Sequence, residues 1–222
     1  PRCSIGVHEN GRTTVYTQCQ QPTGARDLLA AALGAKPAEF RIVNGDIGGG
    51  FGMKTGLTPE EVLVAYAAKK LGRPVRWRGE RSEEFLSAHM GRDMHFKAAL
   101  ALDADGRILA LRIHSLGNMG AVPVGSSAII PLMLMAKVAT SVYRVPAVDF
   151  HLQGVLTNTM ATGAYRGAGR PEGNFLIERL VEKAGREMFF FLVRLRPKSI
   201  LQSTHFPYTT HAGEIYDVGD FP

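Results

Sequence analysis

The chain has 222 residues, 45% of them hydrophobic and 21% charged, which is ordinary globular composition with apolar material for one good core or two small ones. No apolar run approaches the roughly 20 residues of a membrane span, no signal-like apolar segment opens the chain, and two cysteines, Cys3 and Cys19, cannot build a disulfide framework, so a reducing, cytoplasmic setting is expected. The formal net charge of +6 does not gather into a nucleic-acid stripe, because the densest basic cluster (Arg73, Arg76, Arg78, Arg81) is interleaved with Glu80, Glu83 and Glu84.

In chain order, "RTTVYTQ" (12–18) predicts a strand and "ARDLLAAALG" (25–34) a short helix stopped by glycine. "FRIVNGDI" predicts a second strand that feeds a glycine-rich loop. A helix start follows, with Thr58 as N-cap, Pro59 in the first turn and Glu61 completing a capping box; Gly72 ends that helix. In "PVRWRGER", Arg76 and Arg78 alternate with Val75 and Trp77, as on the wet face of a strand. "HFKAALAL" and "RILALRIHSL", joined by "DADG", predict a hairpin, and "AVDFHLQGVLTN" another strand. Apolar positions from Phe175 to Ala184 predict an amphipathic helix over 170–188, and the stretch from 196 onward is expected to be loop-like. Strands and helices alternate irregularly, so the fold class is α+β (mixed α/β), with possible subdomains at 1–72 and 73–222. The chain opens without Met and closes on "YDVGDFP", which is expected of a fragment of a longer protein.

Two segments carry chemistry. "GDIGGGFGMK" (45–54) holds five glycines around one aromatic, Phe51. A phosphate loop would require glycine before Lys54, where Met53 stands, and a dinucleotide fingerprint fails at the same residue. Five glycines exceed the needs of a turn; they suit a backbone whose N–H groups a bulky ligand approaches closely. A non-redox nucleotide- or phosphate-binding module is the alternative. In "TNTMATGAYRGAGRPEGNF" (157–175), Arg166 sits in an open small-residue turn ahead of a helix, placed to reach an anionic or oxo group or to cap a nearby carbonyl.

"GGGFGMK" followed by "GAYRGAGRPE" resembles the molybdenum-binding large subunit of the xanthine dehydrogenase and aldehyde oxidase family, including the branch labelled carbon monoxide dehydrogenase large-subunit-like. A third piece agrees: Gln20 lies 31 residues before Phe51, as a family Gln does, with Gln18 the competing candidate. The ending "FPYTTHAGEIYDVGDF" is also similar to the family. The resemblance implies part of a molybdopterin-binding domain, with cofactor contacts from Gln20, Gly49, Gly50, Phe51, Gly52 and Arg166, and Gln20, Phe51 and Arg166 nearest the metal. It implies a molybdenum–molybdopterin cofactor in the cytosine dinucleotide form, with 2Fe-2S and FAD carried on partner subunits or domains of a hetero-oligomer. The implied reaction is hydroxylation of a small molecule with oxygen from water.

The departures narrow the substrate. Family members that oxidise carbon monoxide carry a copper-holding Cys directly after the motif Arg; here that residue is Gly167. Purine oxidisers carry an aromatic and two charged pocket residues where this chain has Ala168, Thr55 and Leu134, so an aldehyde or azaheterocycle is expected. The family's catalytic Glu, in a Gly-x-Gly-Glu segment, is absent; no catalytic residue is assigned, and the fragment alone is expected to be inactive. Glu172 and Glu178 are expected to be structural.

Overall fold

The computed structural model describes residues 1–221; residue 222, the end of the expected loop-like tail, lies outside the described residues. The chain is α+β and forms two compact units, one of Pro1–His89 with Ala164–Arg166, the other of Met90–Gly163 with Gly167–Pro222.

The first unit is built on a four-stranded sheet of order β3-β2-β1-β4, from β1 (Cys3–Glu9), β2 (Arg12–Thr17), β3 (Phe40–Asn44) and β4 (Val75–Arg78). β1 and β2 are antiparallel, joined through Asn10 and Gly11 at φ 51° and 75°, the left-handed pair that a two-residue hairpin requires. β3 runs parallel to β2, with α1 (Pro22–Ala32) as the crossover, and β4 is an antiparallel edge beside β1. α2 (Pro59–Leu71) lies over the sheet, and the core joins Val15, Leu29, Ala30, Phe40, Val64 and Ala65. The α2 capping box is present: Thr58 N–H donates to Glu61 Oε2 at 2.8 Å, and Gly72 ends the helix at φ 63°.

Four sequence expectations are corrected in this unit. α1 begins at Pro22, three residues earlier than expected, because proline at the first turn needs no partner for its missing N–H. β1 was not anticipated because its buried positions are Ser4 and Gly6 while Ile5 is exposed, the inverse of an apolar alternation. Gly6 is required there, since a Cβ would sit 2.4 Å from the Val64 carbonyl oxygen of α2. Arg81 opens a further helix, α3 (Arg81–Ser87), started by Glu80 N–H donating to Glu83 at 3.2 Å; Arg76 and Arg78 do lie on an exposed strand face. The units divide after His89 rather than after Gly72, because β4 pairs with β1 and belongs to the first sheet.

The second unit carries a three-stranded sheet, β5 (Met94–Leu102), β6 (Ile108–Gly120) and β7 (Ala147–Leu156). β5 and β6 form the expected hairpin, and β7 is parallel to β6. A π-helical turn (Ile130–Leu134) leads into α4 (Met135–Val138), unanticipated because its apolar run has no polar face to set a period. α5 (Arg170–Glu187) matches the expected helix, and its Leu176, Ile177 and Val181 share a core with Leu111, Ile113, Met135 and Tyr143. Beyond it comes α6 (Leu192–Leu195), and a small hairpin of β8 (Tyr208–Thr209) and β9 (Ile215–Tyr216) punctuates the stretch from 196 onward that was expected to be loop.

Candidate functional site

β3 ends at Asn44 and the chain turns directly into the glycine loop. Gly48, Gly49 and Gly52 adopt φ 64°, 93° and 96°, and Phe51 itself sits at φ 53°, a conformation that side chains rarely adopt. Phe51 is held there by its neighbours: its carbonyl accepts the Arg166 N–H at 2.9 Å, while Met53 N–H donates to Gly50 O at 2.9 Å. The Phe51 ring is 57% exposed, with the Arg166 guanidinium carbon 5.6 Å from its centroid, within cation–π range.

Gln20 closes the arrangement from the other side. Its N–H donates to Lys54 O at 2.8 Å, and its side-chain Oε1 accepts the Gly52 N–H at 2.9 Å. A backbone donor needs an acceptor, so this bond fixes the orientation of the amide and leaves both Nε2 hydrogens free of the loop. The approach is close at two glycines, against a side chain at Gly50 and against backbone at Gly52. A Cβ on Gly50 would lie 2.4 Å from Gln20 Oε1, and one on Gly52 would lie 2.5 Å from Ala164 O. The Ala164 carbonyl is contacted in turn by His89 Nε2 at 3.1 Å. All these groups belong to the first unit, so three segments far apart in sequence meet in one place.

Gln18 and Gln20 are separated by this geometry. Gln18 Oε1 is buried without a hydrogen-bond partner among the described residues, in a crevice of about 10 Å³ lined by Arg2, Lys54, Glu61 and Trp77. Gln20 is exposed beside the loop. The loop's hydrogen bonds within the chain use the N–H groups of Gly52, Met53 and Thr55; those of Gly48, Gly49, Gly50 and Phe51 enter none among the described residues. Gly48, Gly49 and Phe51 are exposed and Gly50 is buried under the Gln20 side chain, so the surface presents three backbone donors and one amide donor beside a guanidinium, a set that suits an acceptor-rich, anionic group.

Two supports went unread in the sequence. Lys54 Nζ donates to Ile47 O, bracing the loop from behind. Asn44 makes two bonds to one residue: Cys19 N–H donates to Oδ1 at 3.0 Å, and Nδ2 donates to Cys19 O at 2.7 Å. "FRIVNGDI" was expected as a strand feeding the loop, and nothing in it pointed to Cys19. The Cys19 thiol is buried, and burial pushes its pKa up, so it packs as a neutral apolar group.

Residues 1–199 match the molybdopterin cofactor-binding domain. The chain belongs to the molybdopterin cofactor-binding domain family. It is 34% identical over 213 residues to the carbon monoxide dehydrogenase large chain of Hydrogenophaga pseudoflava, covering 95% of this chain and 26% of that protein. It is 36% identical over 202 residues to the 6-hydroxypseudooxynicotine dehydrogenase complex subunit gamma of Paenarthrobacter nicotinovorans, covering 88% of this chain and 25% of that one. The solved structure of quinoline 2-oxidoreductase from Pseudomonas putida 86 superposes with a TM-score of 0.91 at 32% identity, over 97% of this chain and 28% of that one. The chain thus spans about a quarter of the length of these two relatives. A nucleotide module without redox chemistry has no support among them.

Within this molybdopterin-binding chain, the three expected pocket residues fall in different units. Thr55 follows the glycine loop, its N–H on Gly52 O at 3.1 Å. Leu134 and Ala168 are in the second unit, where Ala168 takes φ 44° and a Cβ at neighbouring Gly169 would lie 3.2 Å from the Leu134 carbonyl carbon. Glu172 is buried and paired with Arg92 at 3.0 Å, and Glu178 accepts from Tyr143 at 2.7 Å and Arg196 at 2.8 Å; both are committed to the fold. Among the described residues no cluster of three His, Cys, Asp or Glu side chains could hold a metal directly.

Proposed function

We propose that the protein containing this chain is a molybdenum hydroxylase acting on an aldehyde or an N-heteroaromatic carbon. The observation that carries this reading is the meeting of Gln20, the glycine loop and Arg166 in one unit, with the loop N–H groups and the Gln20 amide left to donate. A pterin bearing phosphate and metal-oxo oxygens is acceptor-rich and anionic, and the donors present fit it.

When bound, the molybdenum–molybdopterin supplies a two-electron redox centre at which substrate carbon is oxidised and oxygen from water is introduced. Gln20 Nε2 would donate toward an acceptor oxygen of the bound group, its direction set by Oε1 on Gly52. The N–H groups around Gly49, Gly50 and Phe51 would hold the pterin side, and the Phe51 ring, backed by Arg166, would exclude water from one face. The base that moves the water proton is supplied from outside this chain, and residues 1–222 alone do not turn over substrate.

The substrate assignment rests on Thr55, Leu134 and Ala168 being uncharged and non-aromatic, without the groups that would grip a purine. Relatives named nicotine 6-hydroxylase and quinoline 2-oxidoreductase support a ring-nitrogen substrate. Carbon monoxide is disfavoured: the position of the copper-holding thiol is Gly167, at φ 97°, where a Cβ would meet the Pro171 ring at 2.6 Å. The cofactor is proposed as the cytosine dinucleotide form. Electrons leave through 2Fe-2S and FAD groups on partner subunits of a cytoplasmic hetero-oligomer, in keeping with the relative named as a complex subunit.

The test is to purify the parent protein with its co-expressed partners, analyse molybdenum, pterin, iron and flavin, and identify the nucleotide released by acid hydrolysis. The specificity constant for benzaldehyde or quinoline is expected to exceed that for xanthine. Absence of molybdenum, or preference for xanthine, overturns the reading.

A further inference from the structure

We propose that Asn44 is a positioning residue for the cofactor-facing amide of Gln20. The inference rests on the proposed role of Gln20, and its physical part stands on geometry alone. β2 and β3 pair in parallel register from Thr13↔Phe40 to Thr17↔Asn44, where the ladder ends as the chain leaves for the glycine loop. Cys19 lies two residues beyond that last pair, with no strand left beside it. The Asn44 side chain takes the place of the missing backbone. Its carboxamide offers one acceptor and one donor in the geometry of a peptide unit, and it satisfies both the N–H and the C=O of Cys19, at 3.0 and 2.7 Å. Cys19 is 1% exposed, so its backbone groups have little access to water, whereas Asn44 is an exposed residue.

The consequence reaches Gln20 through one peptide bond. Its backbone is pinned on one side by the Asn44–Cys19 pair and on the other by its own N–H on Lys54 O at 2.8 Å. With the backbone fixed at both points, the Gln20 side chain reaches Gly52 N–H in one orientation, and the direction of its donor follows. Glycine at 50 leaves the room for that side chain, and Asn44 sets where it starts. Aspartate cannot replace Asn44: it keeps an acceptor for Cys19 N–H but sets a second oxygen against Cys19 O. Alanine removes both bonds.

The experiment uses the full parent protein carrying Asn44→Ala or Asn44→Asp. The first readout is hydrogen exchange by mass spectrometry on peptides covering 18–22 and 48–56. Both variants are expected to raise exchange there about tenfold, Asn44→Ala through the loss of two hydrogen bonds and Asn44→Asp through the loss of one and the oxygen–oxygen repulsion that replaces it, while peptides within residues 3–17 stay protected. The second readout is molybdenum and pterin retained after gel filtration, in a double-mutant cycle with Gln20→Ala. Asn44→Ala lowers retention in the wild-type background and adds less than about twofold in the Gln20→Ala background, because a positioning residue has nothing left to position. Unchanged exchange at 48–56 overturns the proposal, as does acceleration spread evenly through β1, β2 and β3, which marks a general stabiliser. Additive losses in the cycle overturn it as well. A wild-type parent without pterin would sink the reading of the site and leave the exchange readout to decide the clamp by itself.

Discussion

Gly52 and Gly56 provide a matched pair for testing how tightly the loop is closed. Their φ values are similar, +96° and +89°, so alanine at either meets comparable backbone strain, about 1–2 kcal/mol, offset in part by a stiffer unfolded chain. Their surroundings differ. A Cβ at Gly56 has nothing within 4 Å, whereas at Gly52 it would lie 2.5 Å from Ala164 O and 2.7 Å from Ala164 C. That neighbour is backbone, tethered through His89 and flanked by Arg166, whose N–H holds Phe51 O, so it cannot rotate away. Overpacking against a fixed wall adds about 1–3 kcal/mol at Gly52 alone. Trp77, the single tryptophan, stands half-buried on β4 and reports unfolding of the first unit by fluorescence. In urea, Gly56→Ala should move the midpoint slightly and Gly52→Ala should move it about 1 M further down. Equal midpoints would refute the close approach of the 164–166 segment to the loop.

Gly50→Ala is a different perturbation, because φ at this residue is not in the left-handed region and the clash falls on the Gln20 side chain at 2.4 Å. Loss of one hydrogen bond, about 1 kcal/mol, should leave the Trp77 transition nearly unchanged while molybdenum content of the parent protein falls; retained metal would contradict the assignment. In the second unit, Tyr143→Phe removes a hydrogen bond to a charged partner, Glu178, and should destabilise by about 1.5–3 kcal/mol in thermal unfolding. Burial, the bond to Glu178 and its charge push the Tyr143 phenol above its ordinary range. The proton is held more tightly in the folded state, so this stability is complete below about pH 10 and is lost as pH rises beyond it. The Phe variant should lack that part of the alkaline decline, and parallel pH profiles for the two proteins would refute it.

What the sequence made legible was local. The capping box at Thr58 and Glu61, the glycine stop at Gly72 and the β5–β6 hairpin each depend on residues within a few positions, and each is present. β1 escaped because its inward residues are Ser4 and Gly6, neither of them large and apolar, with Gly6 required by the close approach of α2. α3 hid inside a basic cluster whose glutamates serve as helix-starting groups. The site was visible as two unusual segments and a Gln at family spacing; their convergence was expected from the resemblance and is written in no local pattern. Residues 164–166 return to the first unit across an intervening sheet, a long-range pairing that no local pattern encodes. The Asn44 clamp was illegible for a related reason, since a side chain there does what a strand usually does.

The central claim is that Gln20, and not Gln18, faces the cofactor. The direct measurement is molybdenum and pterin content of the parent protein carrying Gln20→Ala or Gln18→Ala, each beside wild type. Gln18 Oε1 is buried in a crevice with room for about one water, while Gln20 is exposed with its amide oriented by Gly52. The account predicts that Gln20→Ala loses cofactor or turnover by about 10²-fold or more, and that Gln18→Ala keeps both. Loss in the Gln18 variant with an intact Gln20 variant would contradict it.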